Sequence, residues 1–112
     1  MLSVQRETVQ IGAMALPGDF TAVADAVGIV VFVHGSGSSR TSPRNRFVAG
    51  VLHGHRLSTL LFDLLTDAEA ADRRNVFDIA LLTRRVGEAL AWLHSRPDLR
   101  ALPVGLFGAS TG

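Results

Sequence analysis

The stretch VGIVVFVHGSGSSR, residues 27–40, decides the fold. Its opening run, VGIVVFV, is apolar without interruption and rich in β-branched side chains. That is the composition of a strand buried on both faces, the situation of an interior strand in a parallel sheet. The glycine- and serine-rich loop HGSGSSR then leaves the strand end. Beyond it Ser42 and Pro43 form an N-cap followed by a first-turn proline, and Phe47, Val48, Val51 and Leu52 recur at helical spacing. The unit reads as strand, loop and crossover helix.

Working outward, the N-terminal segment alternates: Val4, Arg6, Thr8 and Gln10 share one parity, while Ser3, Gln5, Glu7, Val9 and Ile11 share the other. One or two half-exposed edge strands are expected there, with a turn at Pro17 and Gly18 in LPGDF. In the other direction LSTLLFDLL is a second buried strand ending near Asp63, and TDAEAADRRN reads as a polar, charged loop. Asn75 or Asp78 caps the next helix, whose Ile79, Leu82, Val86, Leu90 and Leu93 mark one stripe, with His94 near its end and Pro97 closing it. Trp92 lies off that stripe as a helix–sheet packing residue. LPVGLFG is a third strand. Edge strands followed by strand, helix, strand, helix, strand predict an α/β fold, a mostly parallel sheet with crossover helices on its faces.

The chain has 112 residues, 47% hydrophobic and 19% charged, enough for one core and too ordered in composition for a disordered segment. No run approaches the ~18 apolar residues of a membrane span. The N-terminus lacks the apolar segment of a signal peptide, so a cytoplasmic location is the expectation. The absence of cysteine excludes disulfides, thiolate nucleophiles and cysteine metal sites. Net charge is +1 and all cations are scattered arginines without interleaved aromatics, which gives nucleic-acid binding little support. No cofactor and no metal are expected.

The last eight residues, GLFGASTG at 105–112, hold G-x-S-x-G directly after a run expected to be a buried strand. A sharp strand-to-helix turn at that point lifts the serine hydroxyl above the sheet, and Gly108 and Gly112 remove the Cβ atoms that would collide there. Ser110 is therefore the candidate nucleophile. Acyl transfer also needs two N–H donors for the tetrahedral oxyanion. The residue after the nucleophile, Thr111, is expected to supply one, and the loop after the earlier strand, at Ser36, the other.

On these residues the sequence resembles the dienelactone hydrolase-like branch of the α/β-hydrolase superfamily. VVFVHGSGSSRTSPRNRFVA, STLLFDLLT, NVFDIALLTRRVGEALAWL and LPVGLFGASTG carry the resemblance over nearly all of residues 27–112. It implies that Ser110 is the nucleophile and that His34, Gly35, Ser36 and Gly37 form the oxyanion loop, with His34 in a structural role. Branch members commonly hydrolyse small esters or lactones, and some relatives are fused to a phosphoribosyltransferase domain. The family order also places an acid and a histidine after the serine. Here only Thr111 and Gly112 follow it, and His34, His53, His55 and His94 all precede it. The expectation is a partial domain, 1–112, cut at the nucleophile elbow. It would have little turnover by itself and an open sheet edge prone to self-association.

Arg40, Arg44 and Arg46 cluster where a helix begins, so their charges oppose its dipole and invite an anion. Arg40 and Arg44 are candidate anion-binding residues, for a carboxylate-bearing substrate or, as the favoured reading, an internal partner such as Asp63. Two other functions remain open. HGSGSSR with Asp63 partly imitates a dinucleotide fold, although Arg40 replaces the third glycine and no P-loop lysine is present. A half-domain could also act as a non-catalytic interaction module.

Overall fold

The structure is a computed structural model that describes residues 4–34 and 39–108. Its strands are β1 (Val4–Ile11), β2 (Leu16–Val23), β3 (Gly28–Val33), β4 (Leu57–Phe62) and β5 (Val104–Gly108). Its helices are α1 (Pro43–His53), α2 (Asp67–Ala70), α3 (Arg73–Val76) and α4 (Ile79–Ser95). The five strands form one sheet in the order β1-β2-β4-β3-β5. β2 lies between β1 and β4 and runs antiparallel to both, and β3 runs parallel to both β4 and β5.

That order dictates where the helices lie. The chain steps one way from β3 to β4 through α1, then back past β3 to β5 through α4, so two right-handed crossovers fall on opposite faces. β3 consequently meets apolar side chains above and below. Ile29 and Val31 join Phe20, Leu60, Phe62, Leu82, Ala89 and Leu93 on the α4 face, whereas Phe32 joins Leu61 and Ala49 on the α1 face. The interior parallel strand read from VGIVVFV is present. β5 ends the order and all of its residues are exposed, so the buried strand expected before the G-x-S-x-G pattern is instead an exposed strand at the edge of the described sheet.

The caps follow the sequence. Ser42 Oγ accepts the Asn45 N–H at the start of α1 with Pro43 in its first turn, and Asp78 Oδ1 accepts the Leu81 N–H at 3.1 Å to start α4. Asn75 instead donates its side-chain amide to the Glu69 carbonyl.

Four further expectations need correction. Pro17 and Gly18 lie inside β2, not in a turn. The hairpin turn occupies 12–15, where the Ala15 N–H donates to the Gly12 carbonyl and both residues have left-handed φ, +72° at Gly12 and +50° at Ala15. Gly18 is small for a packing reason, because a Cβ there would lie 3.1 Å from both Phe62 Cβ and Val9 Cγ2. The segment 66–75 is not an open loop but holds α2 and α3, started by a Thr66–Glu69 capping box and an Asp72 cap. The buried stripe of α4 is Leu82, Arg85, Ala89 and Leu93, while Ile79 and Leu90 reach solvent. On α1, likewise, Asn45 and Ala49 are buried and Phe47 and Val51 are exposed. Trp92 packs edge-on against Phe20 with ring centroids 5.6 Å apart, the helix–sheet role expected of it.

Gly12 is the position where the turn depends on the absence of a side chain. A Cβ there would collide with the Glu88 carboxylate, which also accepts the Ala13 N–H at 3.0 Å, and φ is already left-handed. Gly12→Ala should therefore lower the unfolding free energy by about 1–2 kcal/mol, read as a lower urea midpoint with unchanged slope. An unchanged midpoint would contradict this account of the turn.

Candidate active site

Parallel strands end together when their register is even, and β3 and β5 do so. Ile29 pairs with Val104 and Val33 pairs with Gly108, so the chain leaves both strands at the same edge of the sheet. Neighbouring strands lie roughly 4.8 Å apart. Gly35, Ser36 and Gly37 lie outside the described residues, and so do Ser110, Thr111 and Gly112. His34, Arg40, Arg44 and Gly108 are described, and they show how the surroundings of the two segments are built.

Both flanks of 35–38 are fastened to the exit of β4. On the leading side, the Leu64 N–H donates to His34 Nε2 at 3.0 Å. A ring nitrogen that accepts an N–H carries no proton, so the imidazole proton resides on Nδ1. On the trailing side, Asp63 Oδ1 accepts the Arg40 backbone N–H at 2.8 Å, and Oδ2 accepts Arg40 Nη1–H at 2.9 Å. This charge-assisted pair of contacts fixes both main chain and side chain. Asp63 in turn donates its own N–H to the Pro17 carbonyl at 3.0 Å, which ties the clasp to β2.

Of the candidate anion-binding residues, Arg40 thus meets its anion within the chain, at the Asp63 carboxylate. Its Nε lies 3.7 Å from Asp19 Oδ2 and is buried without a hydrogen-bond partner among the described residues. Arg46 completes the group, donating to Asp19 Oδ2 at 2.7 Å. Arg44 is exposed and has no ion pair among the described residues. His53, at the end of α1, hydrogen-bonds Thr59 Oγ1 at 2.7 Å, and burial, aided by the charge of Arg6, lowers its pKa.

Behind the clasp lies a network that sequence reading missed. Arg85 from α4 is 5% exposed. Its Nη1–H donates to the Leu64 carbonyl at 3.1 Å and to Glu69 Oε1 at 2.9 Å, and its Nη2–H donates to Glu69 Oε2 at 2.7 Å. Glu69 also accepts the Thr66 N–H at 3.0 Å within the capping box. The hydrogen bonds from Arg85 hold the Glu69 carboxyl down to about 2. T-x-x-E at 66–69 was the available signal for Glu69; an arginine within an apolar stripe was the signal for Arg85.

Among the described residues no group of three or more His, Asp or Glu could hold a metal ion, and no helix is long and apolar enough to cross a membrane.

Comparison with known proteins bears on this geometry. No family model matches the chain. Two Mycobacterium tuberculosis proteins named "Putative phosphoribosyl transferase", from strains CDC 1551 and H37Rv, are each 56% identical over 108 residues, 95% of this chain but only 24% of theirs. A crystal structure of dienelactone hydrolase from Anabaena variabilis superposes with a TM-score of 0.88 at 48% identity, covering 99% of this chain and 53% of that one. A cold-adapted esterase from an Arctic intertidal metagenomic library has a TM-score of 0.70 at 17% identity, over 97% of this chain and 51% of the esterase, and shares the fold alone. The chain thus spans about a quarter of its curated relatives and about half of the solved hydrolase.

The shifted Glu69 carboxyl makes a pH prediction. Its folded pKa, about 2, lies below the ordinary 4.5, so the stability it contributes is present above pH 4.5 and drains away as pH falls from there towards 2. Glu69→Gln should lower the urea midpoint at pH 7 and reduce the further loss between pH 4.5 and 2. Equal acid losses in both proteins would refute the Glu69–Arg85 pair as their source.

With the strand order, the paired strand exits and the 48% identical hydrolase together, the chain has the fold of the N-terminal half of an α/β hydrolase domain and is similar over nearly all of its length to a dienelactone hydrolase.

Proposed function

We propose that the domain containing this chain is a serine hydrolase acting on small esters or lactones through an acyl-enzyme. The observation that carries the reading is the Val33–Gly108 register, which starts the HGSGSSR loop and the G-x-S-x-G turn side by side. In this reading Ser110 Oγ attacks the ester carbonyl carbon, and the N–H groups of Ser36 and Thr111 stabilise the oxyanion. Collapse expels the alcohol, or opens the lactone ring, and leaves the acyl group on Ser110. Water then attacks that acyl group and restores the hydroxyl. The histidine and acid that move these protons in α/β hydrolases come after the serine, so turnover belongs to the complete domain. Gly35 and Gly37 let the loop backbone approach the substrate, and Gly108 and Gly112 relieve the turn. His34 serves as a brace through Leu64.

The name of the 48% identical structure, dienelactone hydrolase, supports this substrate class. The matched quarter of the phosphoribosyl transferases is read as a hydrolase segment of those longer proteins. The dinucleotide reading is disfavoured by the engagement of Asp63, the carboxylate that would meet a ribose, with Arg40.

A fluorophosphonate tests the proposal. In a protein carrying the complete domain, peptide mapping should find the adduct on Ser110. Ser110→Ala should abolish it and reduce ester hydrolysis by at least about a thousandfold. Undiminished hydrolysis in Ser110→Ala would refute the assignment.

A further inference from the structure

A guanidinium buried in a helix–sheet interface costs several kcal/mol unless its donors are met, and replacing such a pair by apolar side chains is often neutral or stabilising. Core formation alone therefore gives little reason for an arginine at position 85, between the buried Leu82 and Ala89. What Arg85 does that an apolar residue cannot is hold a backbone carbonyl. Its Nη1–H donates to Leu64 C=O at 3.1 Å, while the paired oxygens of Glu69 fix the plane of the fork at 2.9 and 2.7 Å. Glu88 adds a weaker ion pair to Nε at 3.6 Å.

Leu64 is thereby held on both sides. Its carbonyl accepts from Arg85, its side chain is 1% exposed in the core, and its N–H donates to His34 Nε2 at 3.0 Å. A displaced Leu64 would misdirect the N–H on which the His34 ring rests, and His34 is the residue from which 35–38 departs. We infer that Arg85, on α4, is a positioning residue for His34, the residue from which the proposed oxyanion loop departs, acting through Leu64. The catalytic part of this inference rests on the hydrolase reading; the positioning part does not.

Lysine is no substitute. A point-charge ammonium cannot present two parallel N–H groups to Glu69 and reach the Leu64 carbonyl at once. Arg85→Met keeps an apolar interface but has no donor. In the wild-type chain, long-range 1H–15N correlation should show His34 as one tautomer with Nε2 unprotonated. In Arg85→Met the tautomers should mix, and the Leu64 amide should exchange about tenfold faster, the worth of one hydrogen bond, while amides of the β1–β2 hairpin keep their protection. Glu69→Gln, which leaves Arg85 in place but breaks the fork, should move the same two signals in the same direction, and it decides the matter if Arg85→Met fails to fold. An unchanged His34 tautomer and Leu64 exchange rate in a folded variant would overturn the inference.

The second arm uses the complete domain. Arg85→Lys should slow fluorophosphonate labelling about tenfold, as misplacement of a donor requires, and lower kcat more than it raises KM. Unaltered labelling beside a disturbed His34 would overturn the catalytic half. A wild-type domain that is not labelled would refute the hydrolase reading, and the His34 and Leu64 signals would still decide whether Arg85 positions His34.

Discussion

The exit of β4 is where the site region gets its shape. Two consecutive residues there, Asp63 and Leu64, face the two flanks of the glycine-rich loop, one through a carboxylate that binds Arg40 and the other through an amide that binds His34. A loop of glycines and serines has no core of its own to order it, and its conformational entropy is lost only where its ends are fixed. Asp63 and Leu64 fix the residues on either side of it to the end of one strand.

The parallel register does the complementary work. β3 is packed on both faces, by α4 through Ile29 and Val31 and by α1 through Phe32, so it cannot slip without moving its apolar side chains out of both layers. β5 takes its position from β3, residue for residue, up to Val33 and Gly108. The separation between the ends of β3 and β5 is then a consequence of strand spacing. Core packing, strand register and loop anchorage converge on one edge of the sheet, the arrangement in which open α/β sheets bind their ligands.

Much of this was legible in the chain. The β-branched run at 27–33, the Ser42–Pro43 cap and the Asp78 cap are local signals, and the local structure follows them. The favoured pairing of Arg40 with Asp63 was also readable, because cations at a helix start need an anion and a strand end offered one. The misreadings came from tertiary context. Pro17 and Gly18 look like a turn, but Gly18 is needed where β2 passes Phe62 and Val9, and the left-handed Gly12 makes the bend. Ile79 and Leu90 look like core, but the buried face of α4 is rotated so that Arg85 reaches Glu69. Two polar groups that neutralise one another across sixteen positions of sequence leave no periodic trace, so pattern reading passes over them. Ser110, Ser36 and Thr111 were assigned from motif and resemblance and fall outside the described residues.

A crystal structure of the complete domain phosphonylated at Ser110 tests the central claim most directly. The account predicts a phosphonyl oxygen within hydrogen-bonding distance, about 2.7–3.1 Å, of the backbone nitrogens of Ser36 and Thr111, with His34 still receiving the Leu64 N–H. A phosphonyl oxygen turned away from 35–38, with those nitrogens engaged elsewhere, would contradict it.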